Sequence, residues 1–327
     1  MLNYIANHKK IYWALIVACF VFFRLSIWTG SYLSDFWIFN YVGHDWFNGG
    51  KLYVTAWDHK APTIFVIYGL MDKIWGTNLI LTHVFTTLLA AIDTLFFYKI
   101  SHAWFNYNKH LTKLSLLVYV VVRNLPFLNS DSHITESYII LFFNIALWLY
   151  IKNKANLTNK TILLIGLCFG LMFWLKVNSI LLVLPITYYI FRDNFGLNTL
   201  RNLCLLILPT FLIGIMYSSY FYSMGTWRDF YIASFEYNSK YNWVGYFDFG
   251  NFRYAKLHNS VVNLIVFVPF IYPIINYFRN YSFDLIHLYV VIFGVFLLST
   301  PLLLPYYYLP FATIFSIVTV YALISTK

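Results

Sequence analysis

The sequence predicts an all-α fold, a polytopic transmembrane helical bundle of about ten spans with outward-facing loops that carry juxtamembrane helices. Three observations predict it. The 327 residues are 61% hydrophobic and only 10% charged, whereas a soluble domain carries roughly a quarter charged residues. Apolar runs of near-spanning length recur along the chain. The charges between those runs segregate by sign onto alternate sides.

The runs lie at 11–29, 78–100, 113–128, 137–151, 161–176, 178–191, 203–223, 258–278, 285–300 and 307–325. The first follows His8-Lys9-Lys10 and resembles a signal peptide. No small-residue cleavage site closes it, so a retained span is expected. Residues 62–75 form a shorter apolar stretch that contains Asp72 and Lys73, and a non-crossing juxtamembrane helix is expected there. Cys19, Cys168 and Cys204 fall inside apolar runs without paired spacing and are expected to act as small hydrophobes.

Parity assigns the sides. With the amino terminus inside, the inner segments collect Lys9, Lys10, Lys99, Lys109, Lys113, Lys152, Lys154, Lys160, Arg192, Arg201, Arg279 and Lys327, against the acids Asp193 and Asp284. The outer side receives Asp35, Asp45, Asp58, Asp72, Asp131, Glu136, Asp229, Glu236 and Asp248. That is the positive-inside pattern. It accounts for the net charge of +10 without a nucleic-acid partner, for which no basic cluster exists. Short loops suit an inner (plasma) membrane with both termini cytoplasmic. The chain is expected to be one membrane domain over 1–327, with a first outer loop at 30–77 and a second at 225–257.

The outer loops hold the candidate chemistry. Asp35 follows the first span closely, where a carboxylate can serve as a general base or cap the next helix. Lys60 in Trp57-Asp58-His59-Lys60-Ala61-Pro62 suits a phosphate oxygen or pairs with Asp58. Pro62 can open a helix. Asp45 and Asp58 offer oxygen ligands to a divalent cation, but two scattered carboxylates predict no metal or other cofactor. The segment 129–136 contains Asp131, His133 and Glu136. Glu136 can sit at a helix's positive end, or, with Asp131, bind sugar hydroxyls. His44, His59 and His133 match no zinc spacing. Arg24, Arg123 and Lys176 occupy the outer halves of their spans, where they line a cavity for an anion such as phosphate or snorkel to the interface. Asp93 is given no function beyond pairing with a cation. The aromatics, amides and acids of 225–257 suit a sugar or an interfacial helix.

The first loop resembles the multi-spanning GT-C glycosyltransferases that use polyprenyl-phosphate sugars, including relatives of protein mannosyltransferases and the lipid A aminoarabinose transferase. The similarity rests on Asp35, Phe39, Tyr41 and Gly43, then Gly49 and Tyr53, then Asp58-His59-Lys60-Ala61-Pro62. Tyr237-Asn238 with Tyr241, and Pro305-Tyr306-Tyr307-Tyr308-Leu309-Pro310, look like later elements. The resemblance implies that Asp35 is the base and that Lys60 contacts the donor phosphate, with Glu136 facing the same cavity. Tyr53, Asp58, Asp131, His133, Tyr237 and Asn238 would then help bind substrate or acceptor. The partners implied are a polyprenyl-phosphate-linked sugar donor, a cell-envelope glycan, lipid or protein acceptor, and membrane lipids. Phe36 stands where many members carry a second acid. Two other functions compete with this one, namely a transporter or flippase of an anionic lipid or glycan, and a glycan polymerase or ligase.

Overall fold

A computed structural model describes residues 9–25, 34–125, 134–192, 197–240, 271, 273–275, 284–299 and 305–325. Among these residues the chain is all-α. Twelve helices are named here: α1 (Lys9–Leu25), α2 (Ser34–Phe47), α3 (Pro62–Trp75), α4 (Leu79–Trp104), α5 (Lys109–Arg123), α6 (Thr135–Asn153), α7 (Asn159–Leu175), α8 (Ile180–Arg192), α9 (Leu197–Ser223), α10 (Trp227–Tyr231), α11 (Leu285–Ser299) and α12 (Ala312–Ser325). Short 3₁₀ segments at Val177–Ser179 and Pro305–Phe311 lead into α8 and α12, and a π-helical turn at Ile232–Glu236 extends α10.

Among the described residues, two helices are long and apolar enough to cross a membrane: α4, and Asn198–Ser223 within α9. Each has 26 residues, about 39 Å at 1.5 Å per residue. Their outward faces are apolar, with Leu88 at 56% and Leu95 at 51% exposure on α4 and Phe211 at 63% on α9. Contiguous apolar surface of this kind is costly in water and marks a membrane-associated surface. The other expected spans within the described residues form helices too, but shorter ones, such as 13 residues in α8 and 15 in α5. The expected span at 258–278 lies almost wholly outside the described residues.

The core is a chain of helix contacts. α4 packs on α5 and α6, α6 on α7, α7 on α9, and α5 on α12 and α1. The tightest approach is that of α7 to α9. Gly166 and Gly170 are four residues apart on one face, and a Cβ at Gly166 would lie 2.4 Å from the Leu206 carbonyl oxygen. This small-xxx-small spacing lets two backbones meet where lipid supplies no hydrophobic drive.

α3 has the expected proline at its start and buries Ile64, Phe65 and Tyr68. Its 14 residues reach about 21 Å, short of the roughly 30 Å hydrocarbon core. It lies alongside α2 rather than standing alone.

Candidate functional site

α2 and α3 run parallel, and this places the two strongest candidates at one end. Near the start of α2, Phe36 and Phe39 make edge contacts with Tyr68, and Phe39 also meets Phe65. Near its end, His44 Nδ1 lies 2.9 Å from Asp72 Oδ2, and Lys73 donates to Asn48 Oδ1 at 2.7 Å. Gly43 permits the pairing, because a Cβ there would sit 2.8 Å from Tyr68 Cβ. A parallel pair requires a return segment, which 48–61 provides. Asp35 in the first turn of α2 and Lys60 just before α3 therefore share an end. The Lys60 ammonium lies 5.9 Å from the centre of the Phe39 ring, one turn along from Asp35.

The return segment is held from several directions. Tyr53 adopts φ 69°, a conformation uncommon for a bulky residue, and its hydroxyl donates to the Lys60 carbonyl at 2.8 Å. Its ring packs among Phe65, Phe221 and Phe230. Ser234, in the π-helical turn, donates to the Tyr53 hydroxyl at 3.3 Å. Asn238 donates its amide to the His59 carbonyl at 2.7 Å. Tyr237 lays its ring against Trp57 and His59. The Asp58 carboxylate accepts from the Lys60 backbone N–H at 2.9 Å, an Asx-type turn that points the loop toward α3. Tyr53 and Asn238, expected to touch substrate, are thus committed to the backbone of the Asp58–Lys60 loop and position it. The segment expected to form the second outer loop meets the one expected to form the first here, through described residues 234–238.

Four charges from three segments act on Asp35. Burial raises its pKa above the ordinary carboxylate value, the Lys60 charge lowers it, the Glu136 and Asp58 carboxylates raise it, and Lys176 lowers it. The net direction is upward, which holds the proton more readily than a solvated Asp and suits a group that accepts one during a reaction. His59 is pushed down to about 4, by burial first and then by Lys60, with Lys176 adding to the effect and Asp58 opposing it. It is neutral at physiological pH. Its Nε2 lies 2.8 Å from the Lys60 ammonium and so accepts from it. His59 thus holds Lys60 by one of its three donors and leaves the others to serve an anion.

Glu136 sits in the first turn of α6 and is 2% exposed. One of its carboxylate oxygens accepts from Lys176 at 2.5 Å and the other from Thr135 at 2.8 Å. Lys176 lies in an extended step between α7 and the 3₁₀ turn. Beside the pair is a cavity of about 20 Å³ walled by Ser179, Asn178 and, from a fourth segment, Pro310 and Phe311. It is large enough for one water molecule.

The other expected cations lie elsewhere. Arg123 is 1% exposed, and its Nε donates to Asp93 Oδ2 at 2.9 Å. The Tyr119 hydroxyl donates to the same oxygen at 2.6 Å, Asn144 donates to Oδ1 at 2.7 Å, and Thr313 donates to the Asn144 oxygen at 2.6 Å. This network ties α4, α5, α6 and α12 together. Arg123, expected to line an anion cavity, is instead half of a buried structural ion pair. Arg24 is 4% exposed, with its guanidinium 6.0 Å from the Phe20 ring centre. Asp45 accepts from Thr55, whereas Asp58 serves Lys60, so these two acids have separate partners. Asp131 and His133 lie outside the described residues.

His59, Ser179 and Thr135 were not singled out as site residues by the sequence. The signal for His59 was its place between Asp58 and Lys60. Ser179 carried none, because only the fold brings it beside Glu136; Thr135 is the neighbour of Glu136 in sequence, and the structure adds the hydrogen bond from its hydroxyl. No protein-family model, curated protein or solved structure matches the chain.

Proposed function

We propose that the chain is an integral-membrane glycosyltransferase that moves a sugar from a polyprenyl-phosphate donor to a hydroxyl acceptor at the cell-envelope face, with Asp35 as base and inversion at the anomeric carbon. The proposal includes the ten-span topology with both termini cytoplasmic in an inner (plasma) membrane, and membership of the GT-C group. The observation that carries it is the convergence of Asp35 with Lys60, Lys176, Asp58 and Glu136 at the shared end of α2 and α3.

The chemistry follows from the charges. The acceptor O–H gives its proton to Asp35 as its oxygen forms a bond to the anomeric carbon. The bond from that carbon to the phosphate oxygen breaks, and its electron pair leaves on the lipid phosphate. Lys60, held by His59, faces the growing charge on that phosphate, which is where a positioned cation lowers a barrier most. Lys176, already neutralised in part by Glu136, contributes less directly. Glu136 and Asp58 replace the second acid that Phe36 displaces from the family pattern.

A groove of about 540 Å³ supports a donor with a long apolar tail. Phe173, Trp174, Phe211, Trp227 and Phe230 are among its walls, and Phe230 also contacts Tyr53. The flippase alternative relied on three outward cations lining one path. The commitment of Arg123 to Asp93 removes one of them, and the transferase reading is the better supported.

The test is incubation of the purified full-length protein with a panel of radiolabelled polyprenyl-phosphate sugars and crude envelope acceptors. Label is expected to move from one donor to an envelope product, releasing polyprenyl phosphate. Movement of intact donor across sealed vesicles with no covalent product would overturn the reading in favour of a flippase. Transfer only from lipid-diphosphate oligosaccharides would overturn it in favour of a polymerase.

A further inference from the structure

A second charged cavity lies at the opposite end of the bundle from Asp35. It is walled by the start of α1, the end of α4 and the start of α5, and has a volume of about 270 Å³. Its lining is Trp13, Tyr98, His102, Lys109, Thr112 and Lys113. It holds two lysines and a histidine and, among the described residues, no carboxylate. The Lys113 ammonium sits 5.1 Å from the Tyr12 ring centre, and Thr112 Oγ1 is 3.4 Å from His102 Nδ1.

The turn between α4 and α5 is built around this cavity. Asn106 and Tyr107 both have positive φ, at 49° and 63°. Asn tolerates that conformation, but for Tyr it is uncommon and strained. The strained turn seats the Tyr107 ring edge-on against His102, with centroids 5.0 Å apart, while the Tyr107 N–H donates to the His102 carbonyl at 2.8 Å. Asn108 caps α5, and the positive end of that helix adds to the field of the lysines.

We propose that this cavity binds the phosphate head group of an anionic membrane lipid. A phosphate ester fits the lining, since its oxygens can accept from the two lysines, while the Thr112 hydroxyl donates to the Asn108 carbonyl at 2.7 Å and steadies the start of α5. The surface below identifies a lipid rather than a free phosphate as its source. On α1, Val17 and Val21 are 58% and 45% exposed, and on α4, Leu95 and Ile92 are 51% and 44% exposed. These apolar faces begin one turn from the cavity and run away from it, where acyl chains of a seated lipid would lie. Trp13, 37% exposed at the rim, is the residue type that marks a membrane–water boundary. Basic pockets between helices at such a boundary are the setting in which anionic head groups bind. This inference does not depend on sugar transfer.

The test uses the full-length protein in detergent micelles doped with phosphatidylglycerol or phosphatidylcholine, with bound lipid counted by native mass spectrometry. The wild type should retain phosphatidylglycerol over phosphatidylcholine. Lys109→Gln should weaken that retention about fivefold, and Lys109→Gln with Lys113→Gln about 25-fold. Lys152→Gln should leave it unchanged, because Lys152 rests on Trp148, 5.0 Å from its ring centre and outside the cavity. Unfolding midpoints check the variants. Lys109 is exposed, so its single variant decides the matter if the double variant does not fold. Unchanged retention in the lysine variants, equal loss in Lys152→Gln, or displacement of phosphatidylglycerol by millimolar inorganic phosphate would each overturn the proposal.

Discussion

Two concentrations of charge among the described residues, the Asp93–Arg123 network and the cluster around Asp35, are built in opposite ways. The Asp93–Arg123 network is closed. Both Asp93 oxygens accept from neighbours, Arg123 is 1% exposed, and four helices contribute. The cluster around Asp35 is open. Asp35, His59 and Lys60 are only half-buried, two acids raise the Asp35 pKa against two cations that lower it, and Tyr53 and Asn238 hold the loop by its Lys60 and His59 carbonyls rather than by the Lys60 ammonium. A closed network resists change and serves the fold. An open one, whose carboxyl binds a proton more tightly than a solvated Asp, is suited to accept one.

Substitutions should separate the two. Asp93→Asn leaves Arg123 buried opposite a neutral group, and breaking a buried pair in this way costs about 3–5 kcal/mol. The unfolding midpoint in detergent should fall sharply, and Asp93→Asn with Arg123→Met should recover much of it. A fall in sugar transfer without a fall in midpoint would place Arg123 in the reaction site after all. Tyr53→Phe comes next in size. It removes the donor to the Lys60 carbonyl at 2.8 Å, worth about 1 kcal/mol, or about fivefold in rate if Lys60 is displaced. The loss should appear in kcat while abundance stays normal, and an unchanged kcat would mean that the loop keeps its shape without Tyr53.

The smallest effects are shifts with pH. The rate should rise as Asp35 loses its proton, with an acidic limb displaced upward from the ordinary Asp value because burial outweighs the Lys60 charge. Glu136→Gln removes a charge that raises the Asp35 pKa, so the limb should move to lower pH. Lys60→Met removes one that lowers it, so the limb should move higher. Shifts of the opposite sign would show that another group titrates. Stability follows a separate rule for His59. Its folded pKa of about 4 lies below its ordinary 6.5, so the unfolded chain binds more protons between those values, and stability should decline as pH falls across that window.

Much of the scaffold was legible in the sequence. The run at 78–100 became Leu79–Trp104, 137–151 became Thr135–Asn153, and 203–223 lies inside Leu197–Ser223. Length and apolarity carry that information locally. The helix at 62–75 was readable from its apolar run and from Pro62 at its start. The parallel course of α2 and α3 was not, since it depends on Gly43 meeting Tyr68 across the pair. Arg123 was misread because its partner, Asp93, is thirty residues away on another helix, and neither periodicity nor spacing reports such a pair. Asp35 and Lys60 could be paired as candidates because both lie in the expected first outer loop, 30–77. The contributions of His59 and Ser179 depend on which helix ends converge.

One paired measurement tests the contrast most directly: label transfer from the active polyprenyl-phosphate sugar and the unfolding midpoint, both on wild type and Asp35→Asn. Transfer should fall at least about 100-fold, as loss of a general base implies, while the midpoint stays the same or rises, because the variant no longer buries a charge that burial disfavours. Near-normal transfer by Asp35→Asn, or a midpoint that falls as far as that of Asp93→Asn, would contradict the account.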